Sequence, residues 1–157
     1  MSRTSRPRGP AFTARQVGAL PWRRVGQGVE VCLVQTSSSR QWLPPKGWPM
    51  EGKSDPEAAA QEAWEEAGVR GQVDHAPLGR FRHLKGLKSG GTLPAEITLY
   101  ALRTEEVRDD YPEARRPRRW AGVEEAAALV RSPELAALIR RFAADAMGEG
   151  DAEGESG

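Results

Sequence analysis

Short apolar segments of strand length are interspersed along the chain with three longer segments of helical character. Runs of β-branched residues and period-2 alternation predict strands, whereas helix-forming residues between a capping residue and a stop predict helices. The predicted strands span residues 16–20, 29–34, 41–43, 71–75, 80–83 and 96–103, the predicted helices span 55–67, 123–130 and 133–147, and a mobile loop is predicted over 85–94. Strands mixed with few helices predict an α+β fold or an α/β/α sandwich.

Charge divides the 157 residues into a central part and two unusual ends. Six arginines and no acid precede Glu30, and four acids lie among glycines after residue 147. The composition predicts a basic disordered arm over residues 1–14, one folded domain over 15–146 and an acidic disordered tail over 147–157. Nucleic-acid contact or a transit peptide are alternatives for the arm, but Pro7 and Pro10 interrupt any amphipathic helix there.

Overall composition excludes several classes of protein. The 23 Lys+Arg and 22 Asp+Glu nearly cancel, and no apolar run approaches the roughly 18 residues of a membrane span. Cys32 is the only cysteine, which excludes an internal disulfide and a multi-cysteine zinc site. We therefore expect a cytoplasmic protein with no membrane partner and no nucleic-acid partner, and the sequence leaves its oligomeric state open.

The helix predicted over residues 55–67 has well-defined ends. Ser54, followed three residues later by Glu57, forms the capping-box pattern that starts helices. Gly68 directly follows the last alanine and is typical of a helix stop. The positions of the side chains around this helix are therefore known from the sequence.

Three acids of this helix share one face. Glu62, Glu65 and Glu66 are spaced i, i+3 and i+4, which brings them together on a helix with about 3.6 residues per turn. Three carboxylates within one turn form a hard-oxygen site suited to Mg²⁺ or Mn²⁺. A solvated acidic helix face is the alternative interpretation of the same pattern.

The segment that contains this helix resembles the Nudix box, whose pattern is G-x5-E-x7-R-E-U-x-E-E-x-G-U with U a bulky aliphatic residue. The matching positions are Gly47, Glu62, Glu65, Glu66, Gly68 and Val69, with Ala63 at the first U. The resemblance implies an α/β/α Nudix sandwich with a mixed sheet. It also implies that Glu62, Glu65, Glu66 and the Gly47 carbonyl hold Mg²⁺ or Mn²⁺, and that Glu66, assisted by Glu65, activates or positions the attacking water.

Two positions depart from the box. Lys53 stands at the first glutamate of the pattern and Gln61 at its arginine. In the family these positions help to orient the catalytic helix and support a metal-binding glutamate. A Nudix domain that binds a nucleotide or polyphosphate without cleaving it is therefore an alternative to an enzyme.

The residues before the box resemble those of one Nudix subfamily. Ser37-Ser38-Ser39-Arg40 and the following Gln41-Trp42-Leu43-Pro44-Pro45-Lys46-Gly47 are similar to the S-S-R…W-x-x-P-x-G segment of diphosphoinositol-polyphosphate phosphohydrolases. Those enzymes cleave phosphoanhydrides in diphosphoinositol and diadenosine polyphosphates. The resemblance implies that Ser39, Arg40, Lys46 and Arg80 bind substrate phosphates, for which arginine and lysine are suited. Other nucleoside diphosphate derivatives and a triphosphorylated RNA 5′ end are alternative substrates.

Two questions about the site stay open in the sequence. Trp48 stands where that subfamily has a glycine, so its ring is predicted to stack on an adenine base, to narrow the pocket or to pack in the core. Glu96, Glu105 and Glu106 are candidates for a further carboxylate from outside the box, and the sequence does not choose among them.

Overall fold

The structure is a computed structural model that describes residues 13–156, with side chains described for residues 13–148. Within these residues, eight strands form one sheet and three helices cover it. In chain order the elements are β1 (Ala14–Val25), β2 (Gly28–Gln35), β3 (Trp42–Leu43), β4 (Lys46–Gly47), α1 (Asp55–Ala67), β5 (Val69–Val73), β6 (Gly79–Gly86), β7 (Thr92–Val107), β8 (Arg118–Gly122), α2 (Val123–Leu129) and α3 (Pro133–Ser156). The predicted α+β sandwich with a mixed sheet is confirmed. None of the described helices is long and apolar enough to cross a membrane.

The sheet is mixed because β1 runs parallel to β7 on one side and antiparallel to β2 on the other. The strand order is β3-β2-β1-β7-β5, with β4 also paired to β1, β6 to β7 and β8 to β2. One edge of β7 has two partners, since residues 92–99 pair with β6 and residues 102–107 pair with β5. The turn between β6 and β7 therefore projects beyond the start of β1, at the end of the sheet where β4 also lies.

Both faces of the sheet are apolar and each is covered by helices. The alanines of α1 pack over Val17, Ala19, Cys32, Val34, Tyr100 and Leu102. On the opposite face, α2 and α3 pack over Leu20, Val31, Leu33, Ile97, Leu99 and Ala101. Successive residues of β2 and β7 alternate between these two sets, so the central strands are buried on both sides. The period-2 pattern over 96–103 therefore does not mark a solvent face, and even Thr98 and Tyr100 are buried.

The local sequence accounts for both ends of α1. The Ser54 hydroxyl accepts a hydrogen bond from the Glu57 amide at 3.3 Å, and the Glu57 carboxylate accepts one from the Ser54 amide at 2.8 Å. Gly68 ends the helix with a left-handed φ of 68°, and its amide donates to the Trp64 carbonyl. The face packed against the core of the sheet includes Ala58, Ala59, Ala63 and Ala67. Because these side chains are small, α1 lies close to the sheet and brings its neighbouring acids to the sheet edge.

The structure corrects the predicted strands in several places. The strand predicted over 16–20 was expected to stop before Pro21, yet β1 continues to Val25. Pro21 is tolerated because it lies between the part of β1 paired with β4 and the part paired with β2. Strands β4 and β8 were not predicted. Strand β4 has only two residues and lies between prolines, and β8 begins with arginines, so neither shows the apolar pattern of a strand. The loop predicted over 85–94 is reduced to residues 87–91.

The predicted chain ends are only partly within the described residues. The arm predicted over 1–14 lies outside them except for Thr13 and Ala14, and Ala14 already begins β1. Helix α3 runs to Ser156 and so includes most of the predicted acidic tail, whose side chains from residue 149 lie outside the description. Both assignments stay predictions.

Replacement of Gly68 by alanine tests how closely the end of α1 is packed. A Cβ at Gly68 would overlap with the Tyr111 ring and the Arg108 carbonyl, whereas a Cβ at Gly26, with a similar φ of 60°, meets nothing within 4 Å. We expect Gly68→Ala to lower the free energy of unfolding by about 2–4 kcal/mol and Gly26→Ala by only about 1 kcal/mol. Urea denaturation of both variants measures the difference, and equal losses would contradict the close packing.

Candidate active site

A polar cavity of about 450 Å³ opens beside α1, at the end of the sheet where β1 starts. Its walls come mainly from the second half of α1, the loop after β2, and the end of β6 with the following turn. It is lined by Gln16, Thr36, Ser37, Ser38, Ser39, Lys46, Gly47, Trp48, Glu62, Glu65, Glu66, His83, Lys85, Gly86, Leu87, Lys88, Glu113 and Arg116. Four carboxylates and four cationic side chains thus face one space, which we call the carboxylate cavity.

Glu62 lies directly against the backbone of β4. A Cβ at Gly47 would overlap with the Glu62 carboxylate, so only glycine allows this approach. Burial, with the neighbouring carboxylates of Glu66 and Glu65, raises the pKa of Glu62 to about 8. The charged form of Glu62 is therefore unfavourable here unless a cation accompanies it.

Glu66 is the one acid that is buried among the described residues, with 7% of its surface exposed. Its Oε1 accepts a hydrogen bond from the Lys46 amide at 3.2 Å and lies 3.9 Å from Nη1 of Arg116. Burial raises the pKa of Glu66 to about 6, although Arg116 and the Lys46 amide act in the opposite direction. The backbone of β4 and an arginine from the segment before β8 thus fix one oxygen of this carboxylate.

Glu65 is held from its own helix. Nε2 of Gln61 donates to Oε2 of Glu65 at 2.7 Å, and the Glu65 carbonyl accepts a hydrogen bond from the Glu113 amide at 2.9 Å. Gln61 therefore supports a glutamate of the box although the resemblance expects an arginine at this position. Lys53, the other departure, lies in the exposed loop before α1, where its amide donates to the Met50 carbonyl.

The cationic side of the cavity is also partly buried. Nζ of Lys46 donates to Oε1 of Gln16 at 3.3 Å, and Gln16 itself is buried in β1. Burial and the nearby Lys85 lower the pKa of Lys46. Burial, with Lys46 and Lys85, lowers the pKa of His83 to about 4, so this imidazole is neutral at neutral pH. Crowded cations of this kind favour an anionic ligand between them.

The donor set of the cavity fits a hard divalent cation. Glu62, Glu66 and the carbonyl of Gly47 supply oxygen ligands of the type that Mg²⁺ and Mn²⁺ prefer. In the described part of the chain, no three acidic, histidine or cysteine side chains converge closely enough to enclose a metal ion. Side chains alone therefore do not complete a ligand set, which leaves positions for water or substrate oxygens, as Mg²⁺ commonly requires.

The structure brings most of the predicted site residues together. Those that line the carboxylate cavity are Ser39, Lys46, Gly47, Glu62, Glu65 and Glu66. Arg40, with a left-handed φ of 55°, lies instead in an adjoining cleft with Arg115 and Arg116. Arg80 lies 3.7 Å from Glu96 and does not line the cavity. The two arginines predicted to bind substrate phosphates therefore do not share the cavity of the three α1 glutamates.

Gln16, Glu113 and Arg116 are among the cavity residues that were not assigned from the sequence. Gln16 is a polar residue within an apolar strand, which is a recognisable signal, and Arg116 belongs to a visible basic cluster. Glu113 carries no such signal. The three candidates for a further carboxylate lie elsewhere, since Glu96 contacts Arg80, Glu105 accepts from Gln72, and Glu106 pairs with Arg108.

Glu113 and Arg116 reach the cavity because Arg118 fixes the segment that carries them. The Arg118 guanidinium donates to the carbonyls of Ala67 and Arg108 at 2.8 and 2.7 Å. It also pairs with Asp109 at 2.7 Å. These contacts tie the segment before β8 to the C-terminal end of α1, next to the acids of the helix.

The model of the NUDIX domain family matches residues 13–143 of the chain. The chain belongs to the Nudix family. Proteins of this family generally use divalent metal ions, which agrees with the oxygen donors of the carboxylate cavity. The predicted family is thus confirmed.

Relatives of the chain include plant Nudix hydrolases and an animal tetraphosphatase. Nudix hydrolase 12, mitochondrial, of Arabidopsis thaliana is 33% identical over 118 residues, which are 73% of this chain and 58% of the relative. The chain thus spans little more than half the length of that relative. The asymmetrical bis(5′-nucleosyl)-tetraphosphatase of Sus scrofa is 30% identical over 122 residues, 71% of this chain and 77% of that protein.

A solved structure shares the fold. The Ap4A hydrolase of C. elegans, in a binary complex, aligns with a TM-score of 0.61 at 23% identity, covering 87% of this chain and 99% of the other. At this identity the likeness shows the arrangement of strands and helices and not the substrate.

Replacement of Glu62 by glutamine tests the electrostatics of the metal-free cavity. Because the folded-state pKa of Glu62 is raised to about 8 from 4.5, its stabilising contribution is present below the unfolded value and is lost as the pH rises through the folded value. We expect metal-free Glu62→Gln to be more stable than the wild type by about 1–2 kcal/mol near pH 9, allowing for solvent screening, and equally stable near pH 4.

Urea denaturation in the presence of a chelator measures this difference at both pH values. Addition of Mn²⁺ is expected to raise the melting temperature of the wild type more than that of the variant, since a bound cation stabilises the folded state. A wild type that is the more stable protein at the higher pH without metal would contradict the interpretation.

Proposed function

We propose that this protein is a metal-dependent hydrolase of phosphoanhydride bonds in polyphosphorylated small molecules, using Mg²⁺ or Mn²⁺. The proposed substrate classes are diadenosine polyphosphates and diphosphoinositol polyphosphates. The observation that carries the proposal is that carboxylates and cationic side chains line the same cavity. Cleavage of a polyanion requires this combination of a metal-holding group and separate phosphate-binding cations. The name of the Sus scrofa relative, a bis(5′-nucleosyl)-tetraphosphatase, supports the first class.

The carboxylates of α1 would have two roles, to bind the metal ion and to activate the attacking water. A divalent ion, when bound, neutralises phosphate charge and lowers the pKa of a water molecule. Glu62, Glu66 and the Gly47 carbonyl, assisted by Glu65, would hold this ion. Glu66, whose Oε1 is fixed by the Lys46 amide, would orient the attacking water and accept its proton, with Glu65 assisting. Water oxygen then bonds to phosphorus as the bridging P–O bond breaks.

The cationic residues would bind the rest of the polyphosphate. Lys46 and Ser39 line the carboxylate cavity and would contact the phosphates next to the scissile bond. The cleft that contains Arg40 shares Thr36, Ser37, Glu113 and Arg116 with this cavity, so a long polyphosphate can extend into it. Arg80 stays a predicted phosphate ligand that first has to leave Glu96.

A Nudix domain that binds such a ligand without cleaving it is the second candidate. Lys53 and Gln61, which replace two residues of the box, favour it. The hydrogen bond from Gln61 to Glu65 weakens this case, because the glutamate that the missing arginine would support is already held in place.

Replacement of Glu66 by glutamine separates these candidates. We expect metal-dependent phosphate release by the wild type and a loss of turnover of about 10²- to 10⁴-fold in Glu66→Gln, since the amide cannot accept the proton of water. The assay uses diadenosine polyphosphates, diphosphoinositol polyphosphates, nucleotide sugars and triphosphorylated RNA with Mg²⁺ and with Mn²⁺.

Glu105→Gln is the matched control, because Glu105 is a glutamate of β7 that contacts Gln72 outside the cavity. Its turnover should equal that of the wild type, and thermal unfolding verifies that both variants fold. Full turnover by Glu66→Gln would overturn the role of Glu66. A wild type that binds one of these compounds tightly and cleaves none would establish the second candidate.

A further inference from the structure

Trp48 presents an aromatic ring at the mouth of the carboxylate cavity. It directly follows Gly47 and lines the same cavity as the three glutamates of α1, and 47% of its surface is exposed. Its backbone is held on both sides, because Gly47 pairs with Val17 of β1 and Pro49 restricts the preceding residue to extended conformations. The ring is therefore an exposed surface on a rigid support.

The other four tryptophans have partners within the protein. Trp22 and Trp42 pack against the core beneath α2 and α3. The rings of Trp64 and Trp120 lie 3.7 Å and 3.9 Å from the guanidinium carbons of Arg70 and Arg23. Among the described residues, Trp48 is the one tryptophan with neither a core contact nor a cation over its ring. Packing, one of the roles predicted for it, therefore does not account for this side chain.

A second apolar side chain faces the same space. Leu87, in the turn between β6 and β7, lines the cavity with 40% of its surface exposed. The other side chains that line the cavity are polar or charged, and carry carboxylate, ammonium, guanidinium, hydroxyl, amide or imidazole groups. The cavity thus combines a strongly polar interior with two exposed apolar side chains, one of them aromatic, at a mouth that also carries Ser37, Ser38, Ser39 and Lys88.

These two parts match the two parts of a nucleotide. Phosphates would occupy the polar interior, and a flat nucleobase would stack on the indole, as bases do on aromatic side chains in proteins. A phosphorylated inositol ring lacks a π-face and carries charged groups around its ring, so it gains nothing from an exposed indole. Among polyanions, the cavity mouth therefore favours a base-bearing one.

We infer that Trp48 is a specificity-determining residue that stacks on the nucleobase of a nucleoside polyphosphate substrate. This inference rests on the proposed function for its turnover assay, and it selects dinucleoside polyphosphates over diphosphoinositol polyphosphates within that function. Stacking acts on ligand binding, so its loss raises KM more than it lowers kcat.

Two substitutions distinguish the effect of aromatic stacking from that of side-chain volume at position 48. Trp48→Leu keeps an apolar side chain without a π-face, and Trp48→Phe keeps an aromatic ring. The measured quantity is the ratio of kcat/KM for diadenosine tetraphosphate to that for a diphosphoinositol pentakisphosphate. We expect Trp48→Leu to lower this ratio by about 5- to 100-fold, chiefly through KM, and Trp48→Phe to retain most of it. Val25→Ala, which changes an exposed apolar residue at the far end of β1, is the control and leaves the ratio unchanged.

Binding to Glu66→Gln keeps the test independent of turnover. Calorimetry with ATP and with inositol hexakisphosphate, each with Mg²⁺, is performed with and without Trp48→Leu in that background. A selective loss of ATP affinity supports stacking even if the wild type cleaves nothing, in which case the proposed hydrolase fails and the inference stands. Equal effects on both ligands, or equal behaviour of the leucine and phenylalanine variants, would overturn it.

Discussion

Burial of like charges against a glycine backbone is the constraint on which the rest of this structure depends. Glu62 and Glu66 lie one helical turn apart and both are pressed towards β4, which raises the pKa of each. Such an arrangement is unfavourable in isolation. It persists because caps fix both ends of α1, because alanines allow the helix to lie close to the sheet, and because Lys46 and Arg116 contact Glu66. These interactions thus stabilise a helix whose buried carboxylates would otherwise be unfavourable.

Local interactions explain what the sequence could predict. Helix α1 was predicted to its terminal residues because its capping box and its glycine stop act over three or four positions. The three glutamates follow from the period of that helix, and the family pattern extends the prediction to Gly47. Residues whose position depends on distant contacts were not found. Glu113 and Arg116 reach the cavity because Arg118 and the Glu113 amide bind the second half of α1, and no feature near Glu113 indicates this.

Nearness in sequence did not determine which of the predicted phosphate-binding side chains line the carboxylate cavity. Arg40 follows Ser39 directly, yet its left-handed backbone belongs to a tight turn closed by its own amide and the Thr36 carbonyl, and its side chain lies in the adjoining cleft. The sheet imposed a similar correction at Pro21, where a change of partner strand removes the need for the missing amide. Since the fold is shared with proteins of low identity, such details of lining rather than architecture decide the ligand.

The cavity is assembled from parts that are far apart along the chain. Contacts between Gln16 and Lys46, between Lys46 and Glu66, and between Glu66 and Arg116 join strand β1, strand β4, helix α1 and the segment before β8. To bring such distant segments together, the chain must close long loops, and the entropic cost of this is larger than that of forming local structure such as a helix. Helix α1 has the means to form early from its own sequence, but its acids meet their partners only when the sheet is complete. The carboxylate cavity is therefore complete only when these distant segments have come together, and no single helix or hairpin of the chain contains it.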